Sequence, residues 1–130
     1  MYVLDTNTVI YFFKGMGRVG ERLLATPPTE VSLPAVVLYE LEVGIAKSSS
    51  SKRRRAQLDQ FLRTISILPF AREQARAAAE IRSRLERLGT PIGPLDTLIA
   101  GTTLQAGATL VTRNVEEFGR VPNLSTENWY

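Results

Sequence analysis

Short apolar runs alternate with segments of helical periodicity along the whole chain, and no other feature constrains its fold as much. Tyr2–Leu4, Val31–Leu33, Ile65–Leu68 and Leu110–Thr112 read as strands, with Asn123–Glu127 as a fifth. Most of these runs are short and apolar instead of alternating, which marks strands covered on both faces. Helices are expected over Thr8–Lys14, Val19–Ala25, Pro34 to about Lys47, 52–64, Ala71–Leu88, and from Pro94 to a stop at Gly107. Thr6, Asn7 or Thr8 can cap the first helix, and Gly15 can end it. Ala75, Ala78, Ile81, Leu85 and Leu88 form a stripe on the longest one. Strands alternating with helices predict an α/β fold, a mostly parallel sheet with helices on both faces. There is no repeat and no linker, and the Ser run at 48–51 is only a loop, so residues 1–130 read as one domain.

Two residue types are missing, and this narrows the chemistry. Without Cys there is no disulfide, thiol nucleophile or Cys-based metal site. Without His there is no His acid/base pair, no Ser-His-Asp triad and no usual zinc site. Hydrolysis would have to rest on carboxylates, Lys, Tyr or hydroxyls, assisted by a hard metal ion on oxygen ligands. No apolar run approaches the roughly 18 residues of a membrane helix. The first residues do not resemble a signal peptide, so no membrane association is expected and a cytoplasmic location fits.

The carboxylates fall in telling places. In "YVLDTNT", Asp5 follows the first strand directly and precedes a helix. In open parallel sheets, ligands bind beyond the carboxyl ends of the strands. The plainer reading of Asp5 is a helix cap. Glu40 lies on an apolar stripe of its helix, where a carboxylate is costly unless paired or cation-bound. Glu42 has equally apolar neighbours, and spacing does not separate the two. Asp96, in "GPLDTLIAG", sits in a first helical turn among apolar residues. The dipole favours an acid there, and the core-like flanks imply a partner as well. "TRN" (112–114) closes the fourth strand at the same sheet edge, with Glu116 and Glu117 just beyond. Clustered carboxylates repel and call for a cation, for which Mg²⁺ or Mn²⁺ is suited.

Net charge is +3, unevenly spread. Residues 46–90 carry eleven basic and four acidic side chains, while the flanking thirds are each net −2. The run Lys52, Arg53, Arg54 and Arg55 opens a helix, where cations oppose the dipole. A solvated basic face would explain the run; so would contact with RNA phosphates or with an acidic partner.

Taken together, "LDTNTVIYFFKG", "LYELEVGIAKS", "GTPIGPLDTLIAG" and "GATLVTRNVEEFGRVPNLSTENW" resemble the PIN-domain ribonucleases, and more closely the VapC-like toxins of toxin–antitoxin pairs. The resemblance runs from the first strand to Trp129. It implies an α/β/α sandwich and a Mg²⁺-dependent endoribonuclease, with Mn²⁺ as a substitute. By the same resemblance Asp5 and Asp96 are the main metal ligands, Glu40 rather than Glu42 is the second acid, and Thr6 and Asn7 orient the Asp5 carboxylate. Asn114 and Glu117 complete the catalytic set, with Thr112 in support. Many family members carry Asp where this chain has Asn114, so one well-held ion is implied. A cognate antitoxin, an RNA substrate (transfer RNA being the commonest kind) and a homodimer are implied too.

Three rivals fit less well. A HAD-type phosphatase needs a second Asp where Asn7 stands. A receiver domain needs adjacent acids after the first strand and a Lys after the last. A catalytically inactive module, its acidic pocket binding a partner, would not need all three principal acids.

Overall fold

The computed structural model describes residues 1–130. The chain runs β1 (Tyr2–Leu4), α1 (Thr6–Lys14), α2 (Val19–Leu24), a 3₁₀ turn (Pro28–Glu30), β2 (Val31–Pro34), α3 (Ala35–Ala46), α4 (Ser51–Phe61), β3 (Ser66–Leu68), α5 (Arg72–Arg87), α6 (Pro94–Gln105), β4 (Thr109–Val111), α7 (Val115–Phe118) and β5 (Ser125–Glu127). All strand pairs are parallel, in the order β3-β2-β1-β4-β5. Consecutive residues of β1 (Val3, Leu4) and all four of β2 are buried, so both sheet faces are covered by helices. This is the expected α/β/α sandwich. No helix is long and apolar enough to cross a membrane.

The strand order creates a crevice. The chain steps outward from β1 to β2 and β3, then returns to the other side of β1 for β4. The switch point lies between β1 and β4, where a ligand site is expected beyond the carboxyl ends. The register Leu4↔Val111 puts the residues after β1 and after β4 side by side.

Several local expectations are corrected. The helix after β1 begins at Thr6 and is capped by Asp5, not by Thr6, Asn7 or Thr8: the Asp5 side chain accepts from the Thr8 N–H at 2.9 Å. Pro34 ends β2 and stands just before α3 instead of at its first helical position. On α5 the buried residues are Gln74, Ala78, Ile81 and Leu85, while Ala75 and Leu88 are exposed. β3 is an edge strand with Ile67 exposed, so its apolar run does not mark burial. Gly15 and Gly107 do end α1 and α6, both with left-handed backbone at φ 66° and 63°.

Helices α5 and α6 pack closely at one point. A Cβ placed on buried Gly101 would lie 2.7 Å from the Ala78 backbone nitrogen and 2.8 Å from its Cα. Only glycine permits that approach. Beyond β5, Trp129 is buried against Tyr2, and the Arg22 guanidinium lies over its ring while pairing with Glu127 at 2.8 Å.

Candidate active site

Asp5 is the best-fixed acid. Its N–H donates to the Val111 carbonyl at 3.2 Å, and one carboxylate oxygen is committed to the Thr8 N–H. The Thr8 hydroxyl also donates to the Val111 carbonyl, at 3.0 Å, tying the start of α1 to the end of β4. The Asp5 carboxylate is thus oriented by backbone, and the residue is only 6% exposed.

Glu40 and Glu42 part company in three dimensions. The Thr6 hydroxyl donates to Glu40 Oε1 at 2.7 Å, which draws Glu40 toward the N-terminus of α1 and hence toward Asp5. Glu42 pairs instead with Arg55. Thr6 therefore positions Glu40, not Asp5 as expected. Asn7 is exposed and holds no side-chain hydrogen bond.

The third corner is built by the start of α6 and the short α7. The Gly93 N–H donates to Glu117 Oε1 at 3.0 Å, and the Asn114 amide donates to Glu117 Oε2. The Asn114 N–H is held by the buried Thr112 hydroxyl at 3.0 Å. A Cβ on Gly93 would meet Asp96 Oδ2 at 3.4 Å and Glu117 Oε1 at 3.9 Å, so this glycine leaves room for the two carboxylates to approach. Asn114 supplies what an Asp could not, an N–H donor that steadies a neighbouring carboxylate.

The electrostatics record the convergence. Burial first, then the charges of Glu117, Glu40 and Asp5, push the Asp96 carboxyl up to about 6 from its ordinary 3.8, and a hydrogen bond with Glu117 adds to this. Three acids from other parts of the chain therefore act on Asp96. They do not form a closed shell of three or more ligands around one point.

The basic run does not act as a unit. Arg55 is paired with Glu42. Arg53 and Arg54 face a crease that Glu40 also lines, and Lys52 is exposed and lines none of it. Two features escape sequence reasoning. One is the role of the Gly93 N–H, hidden inside "GTPIGP". The other is Arg113, whose guanidinium lies 3.6 Å from the Tyr130 ring centroid and 5.7 Å from that of Tyr11. Neither contact leaves a signal in spacing.

Comparison with known proteins follows the geometry. The PIN domain family model matches residues 2–124. Ribonuclease VapC2 of Rickettsia felis is 36% identical over 99% of this chain and 98% of its own length. The tRNA(fMet)-specific endonuclease VapC of Salmonella typhimurium is 32% identical over 98% of this chain and 97% of its own. Among solved structures, VapBC2 of Rickettsia felis bound to a promoter DNA fragment superposes with a TM-score of 0.92 at 35% identity, covering 99% of this chain and 98% of that one. DNA-bound VapBC of Salmonella typhimurium gives 0.93 at 33%, with coverage of 99% and 98%.

Proposed function

The chain belongs to the PIN-domain family and, within it, to the VapC ribonucleases, and from this we propose a specific chemistry for its acidic crevice: hydrolysis of RNA phosphodiesters at a Mg²⁺ site held by Asp5 and Asp96. The protein is the ribonuclease toxin of a toxin–antitoxin pair. The observation that carries the metal reading is the Asp96 carboxyl, raised first by burial and then by three other acids that a cation would reconcile. Mn²⁺ fits the same oxygen donors.

The chemistry a divalent cation supplies there is activation of water and neutralisation of charge on the phosphodiester. The chain's own residues do the rest. Thr8 holds one Asp5 oxygen and leaves the other free to bind. Thr6 holds one Glu40 oxygen and leaves the other free to accept a proton from the attacking water. Gly93 and Asn114 restrain Glu117 through both of its carboxylate oxygens.

The substrate class we propose is transfer RNA, supported by the named specificity of the Salmonella relative. The cognate antitoxin is the protein partner. An apolar groove of about 450 Å³ between α1, α2 and α4, with Phe12, Phe13, Leu23 and Phe61 on its walls and Leu24 91% exposed at its rim, is the surface we assign to it.

Purified protein incubated with bulk transfer RNA and Mg²⁺ is expected to generate new 5′ ends that EDTA suppresses. Cleavage unaffected by EDTA would dismiss the metal reading; no cleavage of any cellular RNA would dismiss the nuclease. Asn114→Ala releases one restraint on Glu117 and is expected to lower Mg²⁺ affinity or turnover by about 10–100-fold, read from initial rates across a Mg²⁺ titration. A rate curve that superposes on wild type would remove Asn114 from the site.

A further inference from the structure

A crease of about 110 Å³ runs between α1, α3 and α4, with Glu40 in its lining. Ile10 and Phe13 form apolar wall, and Lys14, Arg53 and Arg54 stand around it. None of these three cations has a carboxylate within salt-bridge distance; the four ion pairs of the molecule use Arg18, Arg22, Arg55 and Arg82. Arg53 sits in the first turn of α4, where a cation opposes the helix dipole, and Ser50 offers no side-chain cap there. Local helix stability and ion pairing therefore both fail to explain the cluster. An anion beside an apolar surface would explain it, and Glu40, assigned above to the acidic site, lines the same crease.

We propose that this crease is a nucleotide subsite for the RNA strand next to the scissile bond. A base or ribose packs against Ile10 and Phe13, and the adjoining phosphate lies among Lys14, Arg53 and Arg54. The inference rests on the ribonuclease reading above and adds to it the part of the surface that guides the strand into the acids. It also divides the basic run: Arg53 and Arg54 serve the subsite, while Arg55 holds Glu42.

The test compares wild type, Arg53→Ala/Arg54→Ala, and Arg82→Ala/Arg84→Ala, which removes the same charge from α5. Cleavage of bulk transfer RNA with Mg²⁺ gives KM and kcat. Binding of the same RNA in EDTA, across a KCl series and in an Asp96→Asn background, gives the salt slope. The Arg53/Arg54 pair is expected to raise KM roughly tenfold with kcat nearly unchanged. It should flatten the log–log salt slope by about 0.7 for each phosphate that is no longer neutralised. The α5 pair should leave both as in wild type. Equal effects from the two pairs would overturn the proposal in favour of general attraction. So would an Arg53/Arg54 variant that binds and cuts like wild type, including one that escapes only the antitoxin, since the crease would then be a protein site. If wild type itself cuts no RNA, the ribonuclease reading falls and the subsite with it.

Discussion

Asp96→Asn is expected to abolish Mg²⁺-dependent RNA cleavage, on the order of a thousandfold, while making the metal-free fold more stable near neutral pH. Both effects have one origin. The Asp96 carboxyl is pushed up to about 6 by burial and by Glu117, Glu40 and Asp5. Its folded pKa lies above its unfolded value of 3.8, so the folded chain holds this proton more tightly. Its contribution favours the fold below about pH 4 and is lost as pH rises through 6. Above that, the ionised group opposes folding by about 1–2 kcal/mol, once the full shift is discounted for its partial exposure. Asn has the same shape and no charge to oppose. Thermal melts in EDTA should therefore place the variant above wild type at pH 7.5 and close to it at pH 4.5. Added Mg²⁺ should raise wild type selectively, by mass action on the folded state. A variant that melts below wild type at pH 7.5, or that still cleaves with Mg²⁺, would sink the account.

Gly101→Ala should destabilise the fold by about 2 kcal/mol, although Ala ordinarily strengthens a helix interior. The added Cβ would meet the Ala78 backbone at 2.7–2.8 Å, so α5 and α6 must separate. Because backbone atoms are involved, Ala78→Gly cannot relieve the clash. The site should suffer as well: Asp96 is five residues nearer the N-terminus of the same helix, about 7.5 Å along its axis. A urea midpoint lowered together with kcat is the expected pair of results. A Gly101→Ala protein as stable as wild type would show that the helices have slack the structure does not reveal.

The layers of this fold are legible in the sequence, and for a physical reason. A strand covered on both faces is mostly apolar, and β1, β2 and β4 announce themselves that way apart from Ser32 and Thr109. β3 reads the same but lies at an edge, because apolar content does not encode which strands have two neighbours. The 3₁₀ turn at Pro28–Glu30 and the four-residue α7 are too short to establish a period. Within the site, acids after strands and in first turns are legible from position alone. Which of Glu40 and Glu42 faces inward is not, since their flanks are equally apolar. Thr6 holds one and Arg55 the other, from 34 and 13 residues away in sequence. Leu88 lies just past the end of α5, and its side chain is exposed.

Asp5 caps α1 through one carboxylate oxygen while leaving the other to the crevice. Asn can make the same cap, and Ala cannot, at a cost of about 1 kcal/mol. The genetic code makes Asn reachable from Asp by a single base transition. Cells selected to survive unrestrained expression of this chain should therefore often carry Asn at position 5, as at 96, in proteins that still fold and still titrate antitoxin. Silencing the toxin in this way would leave its partnership with the antitoxin in place, which a truncated chain would not.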